Sequence, residues 1–306
     1  MTQNDASHFG SVQYLQLISK LFDMLEEDVG YGDITTAALI HPAIQAKARI
    51  FSRQNGLVAG VELIADFLSD LGIQVSNHQS DGTRIKVGET ILEARGSAAT
   101  FLTVERTILN LLQRMSGIAT LTAKMIAIAK GVNPKIRIAA TRKTAPLLRV
   151  FDKLAVIAGG GDPHRWRLDD AVLIKDNHLA LTEGISQAVR RAREKLSFTS
   201  YIEIEVKSLE EALLAAQASA DAILLDNMSP SKVAATVEAI REMKLPKSPI
   251  IEVSGNISLE NIAEYAATNV DVISVGALTH SVTGLDLSMD ITPLKSTSSK
   301  GGRNRK

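Results

Sequence analysis

Arg106, Arg142, Lys143, His164, Arg165 and Lys175 are the residues whose types and placing could do chemistry, together with the acids Glu205 and Asp226. Arginine offers a planar fork matched to a carboxylate or a phosphate, and lysine a compact point charge. Gathered in one place, the six would cage a small molecule bearing several negative charges. The segment Thr141–His178 is the densest source of such groups, with nine Arg, Lys or His residues around Gly159-Gly160-Gly161. Formal net charge over 306 residues is zero, so this density is local and not a background bias.

The two acids have a different logic. Glu205 and Asp226 each close a short apolar run, and a carboxylate among apolar neighbours needs a cation, a metal or hydrogen-bond donors. Beside phosphates, carboxylates commonly hold Mg²⁺, which keeps most of its waters and takes few protein ligands. They could equally receive ribose hydroxyls or face positive charge developing at a sugar carbon. Glu203 lies two residues before Glu205 and shares its face in a regular strand. Ser254-Gly255 and Gly276 end two further apolar runs, where backbone N–H groups of a following helix could take a phosphate.

Positioning these groups requires a particular fold. Short β-rich runs at 136–140, 171–174, 202–206, 222–225, 250–253 and 271–275 alternate with helical segments near 182–196, 208–218, 229–243 and 258–267. Such alternation specifies βα units and a parallel sheet. Arg142-Lys143, Lys175, Glu205, Asp226, Ser254-Gly255 and Gly276 all fall at or just past a strand's C-terminal end. A barrel brings those ends to one mouth, whereas an open sheet spreads them along an edge. The pattern therefore favours an α/β barrel with six or seven strands, short of eight.

Upstream, Val12, Leu15, Ile18, Phe22 and Leu25 repeat at helical spacing and predict a helix over 11–28. Strand-like pieces KARIFS, GLVAG, RIKVG and TILEARG, with a helix near Val61–Leu71, read as a small α+β unit. A long helix follows over 98–130, punctuated at Ser116-Gly117. Asp33 reads as a helix cap and Trp166 as a packing residue. The chain is 45% hydrophobic and 22% charged, ordinary for a soluble globular protein. It has no cysteine, which removes disulfides and thiolate chemistry. No signal peptide is expected, nor a window near the ~18 uncharged apolar residues of a membrane helix. With no global basic field, nucleic-acid binding is not expected either. The Ser/Gly/Lys/Arg-rich residues 296–306 read as a disordered tail.

The motifs TRKT, GGGDPHR, LIKDNH, EIEVKSLEEA, ILLDNMSP, EVSGNIS and SVGALTHS follow one another as in the quinolinate phosphoribosyltransferases, and EEDVGYGDITT and VERTILNLLQRMSGIAT match as well. The resemblance covers about residues 24 to 285. It implies an N-terminal α/β sandwich over 1–113, joined by C-terminal residues 278–295. After it comes an incomplete, about seven-stranded α/β barrel of the type II phosphoribosyltransferase kind over 114–277. The implied reaction joins quinolinate to phosphoribosyl pyrophosphate with Mg²⁺, giving nicotinate mononucleotide, pyrophosphate and CO₂ in NAD biosynthesis. A cytoplasmic homodimer or larger homo-oligomer is implied too.

By the same resemblance, Arg106 reaches quinolinate across a dimer interface. Arg142, Lys143, His164, Arg165 and Lys175 form the rest of the dicarboxylate and pyrophosphate cage. Lys143, Lys175, Glu205 and Asp226 are the catalytic set, with Glu205 and Asp226 near ribose and metal. Ser254, Gly255 and Gly276 take the 5′-phosphate. The chain departs from the family pattern around the His-Arg pair: Pro163 stands where the family usually has Asn, and Arg167-Leu168 where it has Gly-Leu. Two rival readings remain, a transferase of this framework with another acceptor and a non-catalytic phosphometabolite-binding protein.

Overall fold

The computed structural model describes residues 11–294, with side chains from 14 onward; the tail over 296–306 lies outside the described residues. Contacts divide the chain into two compact units, one running to Gln113 and resuming at Leu285, the other spanning Arg114–Gly284.

The first unit opens with α1 (Ser11–Val29) and α2 (Ile34–Leu39). Helix α1 forms where the apolar spacing predicts, but it buries Leu17, Ile18 and Leu21 and exposes Leu15 and Phe22. The sequence carries two overlapping apolar stripes, and the one packed in the core is offset from the one that spacing favours. Asp33 caps α2, accepting from the Thr36 backbone N–H at 2.9 Å. Then come β1 (Gln45–Ser52), β2 (Gly56–Leu57), α3 (Val61–Asp70), β3 (Gln74–His78), β4 (Arg84–Ile85) and β5 (Thr90–Ser97). Strands β1, β3 and β5 join the late strand Leu287–Pro293 in an antiparallel sheet, while β2 and β4 form a separate pair. Strand β3 is absent from the sequence reading because QVSNH has one apolar residue and is almost wholly exposed.

Helix α4 (Ala98–Val132) follows. By length and composition alone it could cross a membrane, since its window has a mean hydropathy of 1.2 and at most two charges. Of that window 56% is buried inside the protein, as in a core helix. Ser116-Gly117 does not break it. Gly117 permits close approach instead: a β-carbon there would collide with the Thr283 carbonyl oxygen. Gly117→Ala is therefore expected to cost about 1–3 kcal/mol through overpacking. A urea midpoint equal to that of the unsubstituted protein would show that the 283–284 turn yields freely.

The second unit contains β6 (Arg137–Ala139), α5 (Arg149–Ala158), β7 (Val172–Ile174), α6 (Asp176–Leu179), α7 (Ile185–Lys195), β8 (Ile202–Val206), α8 (Leu209–Gln217), β9 (Ala222–Asp226), α9 (Pro230–Glu242), β10 (Ile250–Ser254), α10 (Ile262–Ala266), β11 (Val272–Ser274) and α11 (Ala277–His280). The final strand, β12 (Leu287–Pro293), belongs to the first unit's sheet. The second unit's sheet is parallel, in the order β6-β11-β10-β9-β8-β7. From β7 to β11 successive strands are neighbours, and the last of them, β11, pairs with β6, the first of the unit, as in a barrel. On the free side of β6, Asp162 makes a single parallel bridge to Ala139. That one residue is the seventh position of an incomplete barrel, open between it and β7.

Period-two alternation sorts the strands' side chains. Ile202, Ile204 and Val206 of β8, Ile223 and Leu225 of β9, and Ile251 and Val253 of β10 are buried hydrophobics. Glu203 and Glu205, Leu224 and Asp226, and Glu252 and Ser254 take the opposite face. Strand register sets them side by side, pairing Glu205 with Leu224, Leu224 with Glu252, and Asp226 with Ser254.

Candidate active site

One cavity of about 280 Å³ lies on this inner face at the strands' C-terminal ends. It is lined by Thr141, Arg142, Lys143, His164, Arg165, Leu173, Lys175, Glu205, Leu224, Asp226, Glu252, Ser254 and Ser274. The fold thus brings together all the predicted site residues of the cage and acid pair except Arg106. That residue is exposed on the part of α4 in the first unit and is not among those lining the cavity. Gly255 and Gly276 lie beside the lining but not in it.

Each wall has a local cause. Arg142 and Lys143 follow β6, where the Thr141 hydroxyl accepts the Lys143 backbone N–H at 3.0 Å and the Thr279 hydroxyl donates to the Lys143 carbonyl at 2.8 Å. Lys175 follows β7, and its ammonium bonds Glu205 at 2.8 Å. Asp226 accepts from the Asn227 side-chain amide at 3.0 Å. Ser254 donates its hydroxyl to the Ser274 carbonyl at 3.2 Å. Gly255 has φ +107°, and a β-carbon on it would collide with the Asn227 side chain. The helix after Gly255 starts only at Ile262, so no helix N-terminus stands directly behind that glycine; Gly276 does cap the short α11.

His164 and Arg165 come from the open side of the barrel. His164 sits at φ +53°, with its N–H donated to the Asp162 carboxylate at 2.7 Å. Its ring Nε2 reaches inward to Glu252 at 3.3 Å and Glu203 at 3.5 Å. Burial alone would lower the imidazole's hold on a proton; hydrogen bonds to the two glutamates, and their charges, outweigh it and push it up to about 10. Burial and then the charge of Glu252 likewise hold the Glu203 carboxyl above its usual range. His164 and Glu203 are thus both driven toward their protonated forms in this cluster.

His164, Glu203 and Glu252 offer ligand atoms within 4.8 Å of one another, a group that could hold a metal ion. The Arg165 backbone N–H lies 2.7 Å from Nδ1, a hydrogen bond that the neutral ring accepts with its proton on Nε2 and that protonation of Nδ1, favoured by the two glutamates, would break.

Below the mouth, Arg142 Nε, Glu203 Oε1, Glu252 Oε1 and Ser274 Oγ are buried without a protein partner among the described residues. The floor therefore offers both donor and acceptors to a polar occupant. Glu252 and Ser274 are lining residues that sequence reasoning missed. Their only signal was an odd polar residue inside an apolar run, which does not distinguish inside from outside.

Fold and cavity define an α/β-barrel protein with a cation-walled pocket, flanked by open carboxylates, for an anionic small molecule. Comparison with known proteins narrows this. Residues 33–116 match the quinolinate phosphoribosyl transferase N-terminal domain and residues 118–290 the C-terminal domain of the same name. The chain belongs to the quinolinate phosphoribosyl transferase family. It is 48% identical over 273 residues to a probable nicotinate-nucleotide pyrophosphorylase (carboxylating) of Methanothermobacter thermautotrophicus, covering 89% of this chain and 98% of that one. It is 36% identical to the human nicotinate-nucleotide pyrophosphorylase (carboxylating), over 83% of this chain and 85% of that one. The crystal structure of NadC from Streptococcus pyogenes superposes with a TM-score of 0.85 at 38% identity, covering 92% and 98% of the two chains.

Proposed function

We propose that this protein transfers the phosphoribosyl group of phosphoribosyl pyrophosphate to quinolinate with decarboxylation, yielding nicotinate mononucleotide, pyrophosphate and CO₂ for NAD biosynthesis. The observation that carries this reading is one cavity lined both by the cations Arg142, Lys143, His164, Arg165 and Lys175 and by the acids Glu205 and Asp226. A dicarboxylate needs the first set and an activated ribose the second.

In this reading Arg142, Arg165, His164 and Lys175 hold the two quinolinate carboxylates, with Arg106 supplied by a second copy in a homodimer. Lys143 faces the pyrophosphate, and Ser254, Gly255 and Gly276 the 5′-phosphate. The quinolinate ring nitrogen displaces pyrophosphate from the ribose carbon. Glu205 and Asp226 then face the positive charge that develops there, fixed in advance by the strands that carry them. Alkylation turns the ring into an electron sink: the bond to the adjacent carboxylate breaks, CO₂ leaves, and a proton replaces it. Holding both substrates in register supplies much of the acceleration.

Glu205 and Asp226 also fit a hard cation, as oxygen donors open to the pocket. Mg²⁺ there would neutralise charge on the departing pyrophosphate. The reaction belongs in the cytoplasm, where both substrates are soluble anions.

Quinolinate labelled in the lost carboxyl should release labelled CO₂ only with phosphoribosyl pyrophosphate and Mg²⁺ present. Absence of release under every condition would sink the reading; release with neither co-substrate would point to a simple decarboxylase.

A further inference from the structure

Lys153 is fully buried in α5, an unusual place for an ammonium, and no step of the proposed reaction uses it. Its Nζ donates to the carbonyl oxygens of Pro163 and of Arg165, the latter at 2.8 Å. Those two carbonyls bracket His164. The same ammonium lies 5.8 Å from the Trp166 ring centroid.

The turn it holds has reason to need holding. His164 is in the left-handed region at φ +53°, a conformation that persists in a residue with a side chain only when its surroundings enforce it. Pro163 has no N–H to anchor the turn from its own side. Behind it, Asp162 is fixed to β6 through its backbone, with Asp162 N–H to the Ile138 carbonyl and Ala140 N–H to the Asp162 carbonyl, both at 2.8 Å. Ahead, Arg165 donates to the Ala171 carbonyl at 3.0 Å. Between those anchors the peptide N–H groups of His164 and Arg165 bond Asp162 and the His164 ring, while the carbonyl entering His164 and the carbonyl leaving Arg165 are both held by one side chain reaching out of a helix.

We propose that Lys153 is a positioning residue for the quinolinate end of the pocket. By holding the Pro163 and Arg165 carbonyls, it keeps His164 in its left-handed conformation and so aims His164 and Arg165 into the cavity together. The inference rests on the proposed function for the identity of the ligand. The lysine suits the task because one ammonium has three donors and here serves two acceptors. Burial, and then the nearby Arg149 charge, push its pKa down to about 8, while Asp162 and Asp170 oppose the shift. A lysine kept there at that electrostatic disadvantage is consistent with a geometric demand that an apolar residue would not meet.

The test is Lys153→Met, which keeps the stem and removes the donors. Its quinolinate KM should rise about tenfold or more, as two directed hydrogen bonds are lost, while the KM for phosphoribosyl pyrophosphate stays within about twofold. In a double-mutant cycle with His164→Ala the effects should be strongly non-additive, because both changes disable the same contact. Unchanged quinolinate KM in folded Lys153→Met, equal rises for both substrates, or an additive cycle would each overturn the proposal. If that variant does not fold, Lys153→Gln retains an amide donor and should give an intermediate quinolinate KM; an unchanged value there overturns it equally. Calorimetric titration with quinolinate alone separates the two levels of the argument. Failure of the unsubstituted protein to bind would remove the functional reading and the positioning role with it. Equal affinities of the unsubstituted protein and Lys153→Met would remove the positioning role alone.

Discussion

Lys143→Ala is expected to lower kcat by about 10²–10³-fold while leaving the fold intact, the scale seen when one preorganised charge-stabilising donor is removed from an active site. The backbone of Lys143 is held on both sides, by the Thr141 hydroxyl at 3.0 Å and the Thr279 hydroxyl at 2.8 Å. Its aliphatic stem passes close to Gly276, where a β-carbon would come within 3.1 Å of Lys143 Cδ. The ammonium beyond that stem has no carboxylate partner among the described residues, unlike Lys175, which is tied to Glu205 at 2.8 Å. Truncation therefore strands no buried partner, and the melting temperature should scarcely move. What is lost is a cation aimed into a pocket already walled by Arg142 and Arg165. A charge that leaves as pyrophosphate is larger in the transition state than at the bound ester oxygen, so the loss should fall on kcat more than on KM. Steady-state kinetics with both substrates saturating, beside a thermal melt, decide it; an unaltered kcat would remove Lys143 from the catalytic set.

That prediction was accessible from the chain because Arg142-Lys143, Lys175, Glu205, Asp226 and Ser254 all end strands, and a parallel barrel carries strand ends to one mouth. What lies one layer deeper was less legible. Glu203 reads as a partner of Glu205 by alternation, but its contact with His164 depends on the Asp162–Arg165 turn filling the barrel's open side. Glu252 is hidden in IIEV, since five residues of strand do not say which face is inside. Within α5, RVFDKLAVIA presents an apolar helix with Asp152 and Lys153 in it, and nothing local shows that both are buried. Their partners are distant or are backbone atoms: Arg114 lies 38 positions earlier, and the Lys153 acceptors are carbonyls without a side-chain signature. Glycines misled in the opposite way. Gly117 reads as a helix break and instead marks close packing inside one. The site's charged rim was thus written in residue type and spacing, while its supports were written in tertiary contacts.

The firmest of those supports is the pair Arg114–Asp152, and Asp152→Ala is expected to destabilise the second unit by about 3–5 kcal/mol, the range for breaking a buried ion pair from one side. Asp152 is fully buried and takes a two-pronged contact, from Arg114 Nε at 2.7 Å and from a terminal nitrogen at 2.8 Å. The second nitrogen also donates to the Thr279 carbonyl at 3.1 Å. Alanine at 152 would leave the guanidinium, about three-quarters enclosed, with that carbonyl as its main acceptor. Desolvation of the charge would remain while its compensation vanished. Replacing both partners by apolar residues of similar volume, Arg114→Met with Asp152→Leu, removes the charge as well as the partner and should recover most of the stability. The recovered protein should nonetheless turn over more slowly. Thr279 joins the ion pair to the active site, accepting from Arg114 through its carbonyl and donating its hydroxyl to the Lys143 carbonyl. Loss of Arg114 frees one end of that connection and loosens the backbone on which Lys143 is mounted. Urea midpoints for the single and double variants, with kcat for the double, test both halves. Equal destabilisation in single and double variants would mean that packing volume, not the unpaired charge, sets the cost. Full activity in the double variant would mean that Thr279 holds Lys143 unaided.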